Sequence, residues 1–188
     1  MLSFSFLSEL TRKMLCGMLK KRKGERNGIM FRELERKNKA LTRDDYIAVL
    51  KNETRGVLSV AGDHGYPYGM PMNHWYNEDD GAIYFHCGNA SSHRMDALQK
   101  NNKVSFCVYD KGYQKEGDWA LYVKSVIVFG KIEVITDQEV IREITTKLSY
   151  KFTDDSDFIE RTIRGNINRT LLLKLQPEHI CGKLVHEK

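Results

Sequence analysis

Residues 56–76 read GVLSVAGDHGYPYGMPMNHWY, and the fold class turns on them. GVLSVAG (56–62) is a strand, Asp63-His64-Gly65 is a hairpin turn, and YPYGMPMNHWY (66–76) returns as a second strand. A hairpin makes its two strands antiparallel. Pro67 and Pro71 have no backbone N–H to give, so parts of the second strand stay outside the ladder.

Working outward, NEDDG (77–81) is a turn before the strand AIYFHC (82–87), and SSHRMDALQKNN (91–102) is a short helix with Met95 and Leu98 inward. KVSFCVYD (103–110) is a strand, and WALYVKSVIVFGKIEVIT (119–136) is one bent strand or two, with Gly130 as the bend. Thr136 to Glu139 form a capping box for a helix whose apolar stripe is Val140, Ile141, Ile144 and Leu148. DSDFIERTIRG (155–165) is a second helix ending at Gly165, and RTLLLKLQ (169–176) and HICGKLV (179–185) are two closing strands. Upstream, TRDDYIAVLKNE (42–53) opens on a Thr cap and starts the domain with a helix. Hairpin-type strands without βαβ alternation predict a mainly β, α+β protein: an antiparallel barrel with helices packed on its outside.

The chain has 188 residues, 41% hydrophobic and 29% charged, enough for one domain with a real core and outside the disordered classes. Its net charge of +5 is uneven: residues 1–29 hold seven Lys/Arg against two Glu, whereas residues 30–188 hold equal numbers of basic and acidic residues. A neutral body lacks the footprint of phosphate-backbone binding, so no nucleic-acid partner is expected. Residues 1–29 have apolar residues at helical spacing among basic ones, which suits a membrane-surface or docking helix, but the expectation is a poorly ordered extension to a domain over 30–188. No apolar run is long enough for stable membrane insertion. Cys16, Cys87, Cys107 and Cys181 are dispersed without a CxxC pair, which predicts a reducing cytoplasm and no metal site.

Two segments carry candidate chemistry. From His86 to Arg94 the sequence HCGNASSHR runs straight into a helix, placing Ser91, Ser92, His93 and the Arg94 guanidinium near a helix N-terminus. That is a phosphate cradle, or equally an ordinary N-cap with surface side chains. PYGMPMNHWY offers aromatic rings, thioethers and unpaired backbone groups to a flat heteroaromatic ring, or is a packed barrel strand. GxSxG, GxGxxG and GxxxxGK[ST] are all missing, which argues against a hydrolase elbow or a Rossmann or P-loop nucleotide site.

In order, GVLSVAGDHGYPYGMPMNHWY, DGAIYFHC, SHRMDAL, KVSFCVYD, YVKSVIVFGKIEVI and a final IxGK resemble the pyridoxamine 5′-phosphate oxidase-related flavoproteins, specifically their nitroimidazole-resistance branch. The resemblance implies a split β-barrel, a homodimer, and FMN at the interface. It places the phosphate-binding segment on His86 through Arg94, including Ser91, Ser92 and His93. The flavin-ring strand falls on Met70, Pro71, Met72, Asn73 and Trp75, and a partner-facing strand on Trp119, Tyr122, Lys124 and Ser125. Two departures stand out: Ser92-His93-Arg94 replaces a Gly-His-Lys-like triplet, and the chain ends ICGKLVHEK where true pyridoxamine 5′-phosphate oxidases carry an arginine-bearing substrate segment. The implied activity is therefore FMN-dependent reduction of a small organic acceptor, such as a nitroaromatic, and not pyridoxamine phosphate oxidation. A non-catalytic flavin or haem module and a deazaflavin enzyme are the alternatives. His74 is the candidate proton donor on the ring strand, with a hydrogen-bonded barrel histidine as the other reading.

Overall fold

The computed structural model describes residues 31–187. The chain divides into two units, Met1–Glu33 and Leu34–Lys188, and the extension expected over 1–29 lies outside the described residues. The second unit contains helix α1 (Arg43–Asn52), strands β1 (Arg55–Ala61), β2 (Pro67–Asn73), β3 (Trp75–Tyr76) and β4 (Ile83–Gly88), and helix α2 (His93–Lys100). Strands β5 (Lys103–Tyr109), β6 (Tyr113–Gln114) and β7 (Leu121–Ile135), helices α3 (Gln138–Ser149) and α4 (Ser156–Asn166), and strand β8 (Thr170–Glu187) complete it.

All the strands pair antiparallel in one sheet of order β2-β1-β5-β7-β8-β4-β3, with β6 on β7. The two outermost strands are consecutive in the chain, joined through His74, so the sheet curls until its edges meet along residues 67–76. This is the antiparallel barrel that the hairpin pattern predicts, split as the family resemblance implies. Its interior is filled by alternate residues of each strand, among them Leu58, Met70, Met72, Phe85, Phe106, Val126 and Leu173. Val49 and Leu50 of α1 and Ala97 and Leu98 of α2 join that interior, so these two helices help close it instead of lying outside. A second core packs Ile141 and Ile144 of α3 onto Ala82, Tyr84 and Leu172 on the outer face of β4 and β8.

Several local expectations change. The two closing strands are one, joined through a bulge: Gly130 pairs with Pro177 while the adjacent Phe129 pairs with His179, so Glu178 is the extra residue on β8. Gly130 is required there, since a Cβ would stand 2.2 Å from the Gln176 carbonyl oxygen. β7 likewise runs unbroken through Gly130. The cap of α3 is Asp137 instead of Thr136; its carboxylate accepts from the N–H groups of Glu139 and Val140. Val140 is exposed, and Thr145 takes its place in the buried stripe by donating its hydroxyl hydrogen to the Ile141 carbonyl. α4 continues one residue past Gly165. The returning strand of the first hairpin is interrupted at His74.

Candidate functional site

The hairpin register Arg55↔Asn73 through Ala61↔Pro67 places Pro71, Met72 and Asn73 on the sheet edge facing the end of β4. Between them lies a groove of about 540 Å³, walled by Pro71–Asn73 on one side and His86–Gly88 on the other. Arg55 and Arg94 also line it. Arg55 donates from Nε to the Asn73 side-chain oxygen at 2.9 Å.

Helix α2 is pinned in three ways. Ser92 caps it by accepting from the Met95 N–H, and Asn89 in the preceding loop bonds by N–H and side chain to the carbonyls of Arg169 and Asn168. His93 stacks on Tyr68 with ring centroids 4.3 Å apart and lies 3.3 Å from the Asp63 carboxylate, which Lys100 also approaches at 3.3 Å. With His93 committed to the hairpin turn, the next residue points the other way. The Arg94 guanidinium enters the groove, its Nη1 4.0 Å from the Met72 sulfur, and its Nε is buried without a hydrogen-bond partner. Among the described residues no carboxylate pairs with it. Burial holds the His86 imidazole below its usual range and the Arg94 charge adds to that; burial pushes the Cys87 thiol up, with Arg94 opposing.

Of the site residues expected from sequence, the fold thus brings together Pro71, Met72, Asn73, His86 and Arg94. Met70 is buried in the barrel interior, and Ser91 is exposed in the loop. Trp75 leaves the groove because the break at His74 hands the chain to the opposite sheet edge, where its ring packs beside Tyr84 under Lys147. His74 is corrected as the candidate proton donor. It is fully buried, its Nε2 donates to the Leu50 carbonyl at 2.9 Å, and its ring meets Phe106 edge-on. Burial pushes its pKa down to about 4, helped by the Lys151 charge, so it is neutral and faces the core.

Trp119, Tyr122, Lys124 and Ser125 gather at the beginning of β7 and line none of this groove in the single chain. Trp119 is 71% exposed, and Tyr122 stacks between Tyr113 and His186 while its hydroxyl donates to Asp118. Lys124 pairs with Asp45 at 2.6 Å, and that bond raises the ammonium pKa; Ser125 is half-buried between Tyr109 and Lys183 on the adjoining strands. Cys87 and Gly88 fall within the segment His86 through Arg94 that the sequence reading named, and Arg55 is the lining residue that it omits. Arg55 was legible, since counting back from the turn sets it opposite Asn73. No three His, Cys, Asp or Glu residues among those described gather to hold a metal, and no described helix is long and apolar enough to cross a membrane.

Comparison with known proteins follows the same lines. No curated protein matches the chain. A candidate 5-nitroimidazole antibiotic resistance protein of Bacteroides thetaiotaomicron shares 19% identity at a TM-score of 0.65, covering 88% of this chain and 97% of its own. A flavocytochrome of Azotobacter vinelandii shares 18% at 0.66 over 86% and 76%, and an FAD-binding protein of Mesorhizobium loti 20% at 0.56 over 78% and 96%. These likenesses establish the fold. The sequence profile of the family described as pyridoxamine 5′-phosphate oxidase matches residues 42–184, all of the curled sheet but the last three residues of β8, together with its groove, and the chain belongs to that family.

Proposed function

We propose that the chain is an FMN-binding oxidoreductase of the nitroimidazole-resistance type, a homodimer that passes reducing equivalents to a small organic acceptor such as a nitroaromatic. The observation that carries this reading is Arg94, a permanently charged side chain turned into a groove with a buried, unpaired Nε and no carboxylate partner. A phosphate supplies what that guanidinium lacks. The bound flavin would supply the electron-transfer chemistry, and the chain's part is to orient it. Arg94 holds the phosphate, Pro71–Asn73 set the ring along the sheet edge, and Met72 presents apolar surface beneath it. The flavin-binding neighbours from Azotobacter and Mesorhizobium, and the resistance-protein neighbour from Bacteroides, support the assignment.

The dimer is supported by a cross-strand row of Pro71, Val57, Cys107, Ile127 and Cys181, which continues from the groove over five strands and is half-buried or exposed. Such an apolar row suits the centre of an interface. Cys87, Cys107 and Cys181 are free thiols, which fits a cytoplasmic setting. Titrating FMN and riboflavin into wild-type and Arg94→Ala apoprotein tests the reading. A charge-assisted hydrogen bond contributes roughly 1.5–3 kcal/mol, so FMN affinity should fall about ten- to a hundredfold. Riboflavin, which has no phosphate, should bind both alike. Unchanged FMN affinity in the variant would overturn the cradle.

A further inference from the structure

On the outer face of the sheet, α3 and α4 do not fill the space they cover. Along β4, Ile83, Phe85 and Cys87 belong to the barrel interior and Ala82 and Tyr84 to the second core, so alternation turns His86 and Gly88 outward. Ala82 and Tyr84 are packed by Ile141 and Ile144. Beyond them, at the end of β4, a cavity of about 550 Å³ opens beneath the two helices. Gly88 helps to keep it open. Its backbone is not in the left-handed region, and a Cβ there would meet nothing closer than the Arg169 carbonyl oxygen at 3.9 Å, so neither conformation nor crowding calls for glycine.

Helical spacing sets the lining. Ile141, Thr145 and Leu148 share one face of α3, and α4 contributes Ile163 beside Thr162 and Asn166, which lie one turn apart. Ile141, Leu148 and Ile163 are buried and give the cavity an aliphatic wall. No Phe, Tyr or Trp lines it, so a flat ring has nothing to stack on, whereas an alkyl chain matches branched aliphatic side chains. No Asp or Glu lines it either, but the exposed Arg169 does. Its Nη2 donates to the Asn166 side-chain oxygen at 2.9 Å, which fixes the guanidinium beside the cavity and leaves its other donors for an anion. Among the described residues no carboxylate pairs with it. An aliphatic hollow beside an unpaired cation is the complement of a chain that ends in a negative charge.

We infer that this cavity binds a medium-chain alkyl carboxylate, with its chain against Ile141, Leu148 and Ile163 and its carboxylate on Arg169. The site is distinct from the groove that holds Arg94, and the inference stands whether or not the chain carries a flavin. Octanoate, hexanoate and octanamide are titrated by calorimetry into the full-length protein as purified, for wild type, Arg169→Gln, Thr162→Trp and Arg94→Gln. Each buried methylene is worth about a fourfold gain, so octanoate should bind wild type roughly fifteenfold more tightly than hexanoate. Arg169→Gln should weaken octanoate about tenfold and leave octanamide, which has no charge, unchanged. Thr162 is exposed on α4, so Trp there narrows the cavity without disturbing the core, and it should weaken octanoate and octanamide together. Arg94→Gln should alter neither. Absence of octanoate binding to wild type, or equal affinities for octanoate and hexanoate, would overturn the site. Loss of octanoate binding in Arg94→Gln instead of Arg169→Gln would overturn it as well, since the carboxylate would then sit in the groove. Equal losses of octanoate and octanamide in Arg169→Gln would show that the substitution acts through the fold, and would overturn the assignment of the carboxylate to Arg169.

Discussion

Among the described residues His74 and Arg94, like His186, bury a nitrogen without a hydrogen-bond partner, and the first two differ in what the side chain can do about it. At the strand break, His74 Nδ1 is unpaired in the core; at the groove, Arg94 Nε is unpaired behind Met72. The imidazole escapes the cost of burial by giving up its charge, and its pKa near 4 records that. A guanidinium cannot do the same, because it stays protonated in proteins. The histidine is therefore at rest in the folded chain, whereas the arginine is completed only by an anion. An unpaired group that can be neutralised is structure; one that cannot be neutralised and faces a cavity points to a ligand.

The strongest blow to the first region is Phe106→Ala. Phe106 is fully buried and its ring meets both His74 and Phe85 edge-on, so removing it should cost about 3–5 kcal/mol in urea unfolding. If the two regions are as separate as described, any protein that remains folded keeps its ratio of FMN to riboflavin affinity.

Acid sharpens the contrast. The folded pKa of His74 lies below the ordinary imidazole value of 6.5, so the unfolded chain takes up a proton first as pH falls. The stability associated with neutral His74 is complete above about pH 6.5 and is lost as pH drops toward 4, by roughly 3 kcal/mol. Urea midpoints measured from pH 7 to 4 should fall accordingly, and His74→Leu should flatten that part of the profile. A profile unchanged by His74→Leu would mean that other groups set it.

Arg94→Met should do the reverse of what a core variant does. It removes a partly buried charge that has no partner, so the apoprotein should keep its stability or gain up to about 1 kcal/mol, while FMN binding weakens. Destabilisation of the apoprotein by more than this would make Arg94 a structural residue like His74. The smallest effect belongs to Asp63→Asn. Its pairs with His93 and Lys100 are more than two-fifths exposed at every side chain, and such pairs are worth about 0–1 kcal/mol, screened by salt. A small stability loss that disappears at high salt, measured with unchanged FMN affinity, would show that the Ser92 cap, the Asn89 hydrogen bonds and the Tyr68 stack hold α2 in place without this pair.

The elements themselves were legible because the signals that set them are local. The turn at Asp63–Gly65 with flanking β-branched residues specifies a hairpin, and a hairpin specifies its own register, from which the approach of Arg55 to Asn73 follows. The Ser92 and Thr42 caps, the bend at Gly130 and the ordered series of motifs were likewise readable within windows of a few residues. Tertiary structure decided where competing local choices went. RTLLLKLQ and HICGKLV fuse into one strand because β7, far away in sequence, pairs with both of them and the one extra residue between, Glu178, is bulged out. His74 and Trp75 turn from the ring strand into two different cores because the sheet curls until both its edges share one segment. Sequence alone places Arg94 on the first turn of a helix; that it faces a groove without a carboxylate, which Arg55 also lines, depends on which side chains long-range packing brings to the end of β4. Periodicity follows from the geometry of one element and can be read along the chain, whereas the pairing of a charge depends on every element that could have met it.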